Sequence, residues 1–486
     1  MNAKKIIITI TTMILLAAGY ASAQKQDKYL KAVTNYADAL LEHGRDTYGD
    51  VKSPLIASAL DRSSLALIDK DLRRMPGIRN GDRSLYGTNV MHDQDLYQLL
   101  YALTTVTGDK KYAEEADKAL GWFFKNCQSP NTGLMAWGEH IGWGFKTETL
   151  AFARGDNHEF YVPWVLWEKS FALAPDACIT FAKGLWDHQI HEHSGNFSRH
   201  ASWKEHRTGT SNEYPRHGGF YIASWGEAYD RTKDPVFLKA IETLVDYFNA
   251  HSSKVTGAIP CSSNPNRINI MWPESNLSLA VDLWDVAEKV PAPLARKLRQ
   301  RALKTDKVYL SLAHEFGPAG RGFVAGADVN SLERFTKGAW TDTKIWATAY
   351  GKSTDAQVAL LCNLRYQQVK MDGYRKLVLD AASRYLYTEP DTSITLYPGS
   401  LADGIFIMLV AYDLTGQKYY LDRAEYFADS GLRIFMDDSS PLPKASSEDD
   451  QYETITGSDD LMLAILDLWV AKNNPKNKPK IIYNHR

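Results

Sequence analysis

The sequence predicts an all-α fold, a closed ring of helical hairpins with little β structure. Three observations carry that prediction: apolar residues recur at helical spacing along most of the chain, strand-like alternation is scarce, and one hairpin unit returns in three places.

Helical spacing is plain in Leu96-Tyr97-Leu99-Leu100-Leu103 and in Tyr112-Ala116-Ala119-Leu120-Phe123. Val236-Phe237-Ala240-Leu244-Phe248 and Leu377-Leu379-Ala382-Tyr385-Leu386 follow the same rule. Against these, only Ile394 to Tyr397, ahead of Pro398, reads as a short extended piece.

The recurring unit is a helix, a short polar turn, an aromatic and a second helix. It runs from Leu103 through Thr107-Gly108-Asp109 to Tyr112 and Ala116, and again from Ala228 through Lys233-Asp234-Pro235 to Phe237 and Ala240. A third copy runs from Ala411 through Thr415-Gly416-Gln417 to Tyr419-Tyr420 and Ala424. Gly or Lys-Asp-Pro stops the first helix, and the aromatic seats the second. A lone hairpin cannot bury its apolar face, so the units must stack or close. Their wide, irregular intervals and long polar insertions suit a closed ring, an α/α toroid, whose loops at one rim build a site. At roughly 50 to 70 residues per hairpin the chain holds about six or seven.

The first residues read as an export signal. Lys4 and Lys5 precede an apolar run from Ile6 to Leu16, and Ala21-Ser22-Ala23 gives a small-residue cleavage site before Gln24. Residues 1–23 are therefore expected to be a signal peptide, with no lipobox cysteine, and the mature chain to be periplasmic or secreted. No later run is apolar enough to span a bilayer. No composition shift divides residues 24–471, which read as one domain, and the polar tail 472–486 is expected to fray. Formal net charge is −2 without a basic face, which argues against nucleic acid as a partner. Four distant cysteines (Cys127, Cys178, Cys261, Cys362) form no CxxC pair, leaving disulfides and buried thiols both open. The chain holds 13 Trp and 26 Tyr, the residue types whose flat faces stack on sugar rings.

Candidate chemistry concentrates where nine of the 13 histidines lie, between His92 and His217. Asn89 to Asp95 places His92 just before a helix that Asp93 or Asp95 would cap. Gly133 to Gly144 unites Trp137, Glu139, His140 and Trp143 with glycines that suit neither helix nor strand. Arg154, Asn157, His158 and Glu159 follow, and Asn212 to Phe220 holds Tyr214, Arg216 and His217 at a helix start. Between them, His188, His191, His193, His200 and His206 read as a solvated loop or a Zn/Mn site. A weaker group holds Arg267, Trp272 and Glu274. The G-x-S-x-G elbow, P-loop, dinucleotide fingerprint and H-E-x-x-H helix are all missing.

These residue types suit β-elimination on a uronic acid. Removing the C5 proton beside a carboxylate is prohibitive unless Arg, an amide or a metal neutralises that carboxylate. A base then takes the proton and an acid protonates the leaving oxygen, tasks for His or Tyr. A glycoside hydrolase would instead need two facing carboxylates, for which Asp93, Glu139, Glu159, Glu213 and Glu274 are candidates. A non-catalytic glycan-binding protein is the third reading.

The hairpin turns, Trp137-Gly138-Glu139-His140, Asn157-His158 and Tyr214-Pro215-Arg216-His217 together resemble the secreted α/α-toroid polysaccharide lyases of Bacteroidetes, the rhamnose–glucuronate and pectate-lyase-like groups. The resemblance implies cleavage of an acidic polysaccharide, with Asn157 or Arg216 neutralising the uronate and His140, His158, Tyr214 and His217 moving protons. The residue types in the same clusters make His92, Trp137, Glu139, Trp143, Arg154 and Trp272 the expected substrate-binding residues. The resemblance leaves a divalent cation (Ca, Mn or Zn) open. The chain departs from many toroid lyases in having no room for a β-sandwich after the ring.

Overall fold

A computed structural model describes residues 28–68, 72–151, 155–317, 319–338, 340–347 and 353–485. The expected signal peptide and Arg154 lie outside them.

A first helix, α1, covers residues 28–43. It is followed by α2 (Gln94–Thr107), α3 (Lys111–Asn126), α4 (Trp167–Leu173), α5 (Pro175–Gly184), α6 (Pro215–Thr232) and α7 (Pro235–His251). Then come α8 (Pro273–Val286), α9 (Ala292–Leu310), α10 (Asp355–Val369), α11 (Asp372–Tyr387), α12 (Pro398–Thr415), α13 (Lys418–Phe435) and α14 (Ser458–Asn473). The four periodic segments read from the sequence fall in α2, α3, α7 and α11, and the three hairpin units are α2–α3, α6–α7 and α12–α13. Their turns rest on left-handed residues, Gly108, Lys233 and Gly416, each of whose N–H closes the preceding helix. Residues 394–397 form no strand.

Composition sorts the helices into two rings. α3 buries one stripe (Tyr112, Ala116, Ala119, Leu120, Phe123), as an outer helix should, whereas α14 is buried nearly all round from Ser458 to Leu468. α6, α8, α10, α12 and α14 pack side by side in that order, and α14 packs on α2. The arc from α2 back to α6 is completed by α3, α4 and α5. The result is the α/α toroid, with α7, α9, α11 and α13 on the outside beside their inner partners. A strand pair, Ala59–Asp61 with Gln451–Glu453, ties the start of the chain to its last hairpin.

The inner helices start at one rim. The backbone N–H of Arg216 on α6 donates to Ser275 Oγ on α8 (3.0 Å), and that of Leu96 on α2 to Asp459 Oδ2 on α14 (3.1 Å). Three of these helices open with an extended aromatic followed by proline: Tyr214-Pro215, Trp272-Pro273 and Tyr397-Pro398. Proline at the first helical position lacks only an N–H that would be orphaned there, and it holds the preceding aromatic extended. The repeated device therefore sets aromatic rings on the rim where the helix dipoles are positive.

All four cysteines are buried free thiols. Among the described residues no helix is long and apolar enough to cross a membrane.

The segment after α14 differs from the frayed tail expected. Asn484 is buried, Ile482 exchanges two hydrogen bonds with Gln98, and Tyr483 donates to Asp403 at 3.1 Å. Apolar contacts of Ile481 and partners for its polar groups outweigh the entropy the polar composition suggested.

Candidate functional site

The site is built on a two-stranded pairing of Asn157–His158 with Ala201–Ser202. Side chains alternate along a strand. His158 therefore turns into the core against Phe181, and Glu159 turns the other way, toward Arg199 and His200 from the opposite strand's approach. Gly138, at φ +125°, lies so close to the Glu159 carbonyl that a Cβ would collide with it. That contact and the Glu139 N–H bonded to Glu159 O (3.2 Å) set the two carboxylates side by side.

Glu159 is the hub, with no exposed surface. Its Oε1 accepts from Arg199 and from His217 Nε2 (3.0 Å), and its Oε2 from His200 Nε2 (2.8 Å). His140 Nε2 stands 3.3 Å from Glu159 Oε2 and 3.1 Å from Glu139 Oε2, while its Nδ1 bonds Asp82 at 2.8 Å. Arg79 closes the outer side, pairing with Asp82 (2.6 Å) and with Glu139. Burial pushes the Glu159 carboxyl up, but hydrogen bonds from His140, His200 and His217 hold it well below the usual range. Burial pulls His140 down, and its bonds to Asp82, Glu139 and Glu159 outweigh that, raising it to about 10. Asp82, Glu139 and Glu159 thus face the guanidiniums of Arg79 and Arg199 and the His140 imidazolium, while burial and the Glu159 charge push the Glu139 carboxyl up. His217, fully buried, is pulled down to about 3 by desolvation and stays neutral.

The rim of α6 adds the outer layer. The Tyr214 ring lies 5.1 Å from the Arg199 guanidinium, and its hydroxyl accepts from Arg267. Trp272, at the start of α8, meets the Tyr214 ring edge-on at 4.8 Å, and Trp340 follows at 5.9 Å. Arg216 is half-buried beside them, and no described side chain accepts a hydrogen bond from its guanidinium. His92 sets its ring edge-to-face on Tyr161 at 5.7 Å, and desolvation pulls it down to about 4.

The structure thus gathers Glu139, His140, Tyr214, Arg216, His217 and Trp272 at one rim, with Glu159 and His200 among them. It does not bring Trp137 there. That indole is fully buried among Phe160, Trp164 and Phe181, so it offers no face to a sugar. His158 likewise lies in the core, with neither nitrogen hydrogen-bonded. Trp143 stands in a small sheet against Trp122, and Asn157 is half-buried on its strand. Asp82, Arg79 and Arg199 were not singled out from sequence, and Arg267 only weakly. Each lies in an irregular segment without periodicity, and only the alternation around Glu159 and Arg199 offered a signal.

The donor atoms of Glu139, His140, Glu159 and His200 all lie within 4.8 Å of one another. Glu139 Oε2 and His140 Nε2 are buried without a well-formed hydrogen bond, so a cation that displaced the His140 proton would find two donor atoms there. Two imidazoles with two carboxylates suit Mn²⁺ or Zn²⁺ better than Ca²⁺, which prefers oxygen alone.

A sequence profile of the family described as periplasmic pectate lyase matches residues 71–244, the stretch that carries the whole Glu159 cluster. Solved structures of similar shape include the cellobiose 2-epimerase of Bacillus thermoamylovorans B4167, at 10% identity over 91% of this chain and 98% of that one, TM-score 0.48. An unsaturated glucuronyl hydrolase specific for heparin gives 13% identity, 94% and 100% coverage and a TM-score of 0.47. The α-mannanase of Bacteroides thetaiotaomicron gives 9% identity, 80% and 88% coverage and a TM-score of 0.43.

Proposed function

We propose that this chain, which resembles the periplasmic pectate lyases over residues 71–244, is an exported polysaccharide lyase that cleaves a uronate-containing glycan by β-elimination. The observation that carries the reading is Arg216, a half-buried rim cation whose guanidinium bonds no described side chain, though Glu274 feels its charge, beside a buried cluster in which Arg79, Arg199 and His140 face the carboxylates. That pairing leaves Arg216 to take a substrate carboxylate, the charge whose neutralisation makes the C5 proton removable.

Proton transfer falls to His200 and Tyr214, which stand against the Glu159–Arg199 pair. Glu159 holds His200 with Nε2–H pointing at it, which leaves Nδ1 as the open lone pair of a general base for C5. The Tyr214 hydroxyl, accepting from Arg267, keeps its own proton to donate to the leaving glycosidic oxygen. The C5–H electron pair becomes the C4–C5 double bond as the C4–O bond breaks. His140 and His217 act through Glu159 rather than on the sugar. A divalent cation, if bound, would be held by Glu139, His140, Glu159 and His200 and would supply further charge neutralisation. His140 would first release its proton to solvent, and His200 would then serve as a ligand rather than as the base. The hydrolase reading loses ground because Glu159 is fully buried and held ionised, and Glu139 is tied to Arg79.

The test is incubation with pectate, glucuronan, rhamnose–glucuronate gum, alginate and glycosaminoglycans while ultraviolet absorbance is followed, with and without chelator. A rise on one of them supports the lyase. Reducing ends released without absorbance change would replace it with a hydrolase.

A further inference from the structure

Below the rim, the bore of the ring is lined by buried aspartates. Asp95 on α2, Asp403 on α12 and Asp459 and Asp460 on α14 are all buried near the helix starts. Burial and mutual repulsion push Asp95, Asp403 and Asp459 up, while Asp460, though burial raises it too, is held down by His485. Asp460 is therefore the bore's anion and the charge an anionic glycan at the rim would meet from below. The segment after α14 answers it. Lys478 pairs with Asp413 at 3.1 Å and lies 3.5 Å from Asp467 at the far ends of α12 and α14. From there the segment climbs the bore: Ile482 bonds Gln98, Tyr483 bonds Asp403, and Asn484 Nδ2 donates to Asp95 at 2.8 Å. His485 ends the climb with Nε2 3.1 Å from Asp460 and 3.9 Å from Asp95. A cavity of about 260 Å³ runs beside it, and the His485 side chain, enclosed by the ring, remains 37% open to that space.

We propose that residues 478–485 form the floor of the carbohydrate cleft, and that His485 is a positioning residue whose ion pair with Asp460 shields an anionic substrate from that buried carboxylate. The proposal rests on the uronate reading of the rim. It gives the segment a role in substrate binding, not in the chemical step. Two features bear it out. Asp95, Asp403 and Asp460 face one another from three helices, with Glu274 of α8 beyond Tyr483, and His485 meets Asp460 from within the bore. Burial pulls His485 down, yet the charges of Asp460, Asp403 and Asp95 raise it to about 10, so it is an imidazolium at neutral pH. Asp460 and Asp95, which His485 faces, stand in the first turns of α14 and α2, at the rim where α6 also starts.

The test compares wild type with His485→Gln and His485→Lys in the full chain, using thermal midpoint against pH and steady-state kinetics on the polymer that gives the absorbance rise. His485→Gln is expected to lower the midpoint below pH 6.5, with the difference closing as pH rises through about 10. It is also expected to raise KM about ten-fold with kcat nearly unchanged, and His485→Lys to restore KM. Unchanged KM in His485→Gln, or equal impairment in both variants, would overturn the proposal. So would a midpoint difference that does not depend on pH. Should no polymer be turned over by wild type, the lyase reading fails. The pH arm then decides the ion pair, and the shielding role is withdrawn with that reading.

Discussion

His217 Nε2 donates to Glu159 Oε1 across 3.0 Å, and neither side chain has any exposed surface. A neutral imidazole and an ionised carboxylate this deep are stable only because Arg199, His140 and His200 share the same carboxylate. Glu159→Gln removes the charge and leaves Arg199 without its main partner. Loss of a buried pair's acid costs about 3–5 kcal/mol. The expected result is a lower unfolding midpoint together with loss of turnover, seen by calorimetry and initial rates.

Arg216 should behave in the opposite way. Its guanidinium bonds no described side chain, so Arg216→Ala is expected to leave the unfolding midpoint within a degree or two while kcat/KM falls on the order of 100-fold. Arg216→Lys keeps the charge but not the two-pronged fit to a carboxylate, and should fall between.

His158 separates sequence neighbourhood from site membership. Both its nitrogens are buried without a hydrogen bond, and desolvation pulls it down to about 3. His158→Leu removes two unsatisfied polar atoms, so stability should hold or rise by about 1 kcal/mol, with unchanged kcat/KM. A loss of turnover in a folded variant would return His158 to the site.

Asp93 makes a pH prediction. Burial raises it to about 6, despite hydroxyl donors from Ser58, Thr88 and Thr454. The folded state therefore holds the proton more tightly than the unfolded one, where the ordinary value is 3.8. Asp93 costs stability above pH 6, and that cost is relieved as pH falls toward 3.8. Relative to Asp93→Asn, wild type should gain about 1.4 kcal/mol for each pH unit lowered in that window. Denaturant melts of both proteins at several pH values measure it.

The ring was legible because its cause is local. Thr107-Gly108-Asp109, Lys233-Asp234-Pro235 and Thr415-Gly416-Gln417 each carry a helix stop and a helix start in a few residues, and such punctuation survives without tertiary context. The Tyr214 to His217 segment was legible for the same reason, as an aromatic-proline helix start with charged neighbours. Trp137 was misplaced because glycines on either side describe a loop's shape and not which way its indole points. His158 and Glu159 are adjacent in sequence, yet one residue of strand pleat sends them to opposite faces, and strand placement depends on pairing with residues 201–202. Arg199 meets Glu159 only through that pairing. The segment from Lys478 to His485 was least legible, since polar composition signals fraying only where no buried acids wait to receive it.

The central claim is the bond-breaking chemistry at the α6 rim, and mass analysis of the products reads it most directly. Digests of the polymer that yields the absorbance rise should give oligosaccharides one water lighter than the hydrolysis products, with the double bond on the new non-reducing uronate. Arg216→Ala should remove those species while leaving the fold intact. Products of full hydrolytic mass, or unsaturated products made equally well without Arg216, would contradict the account.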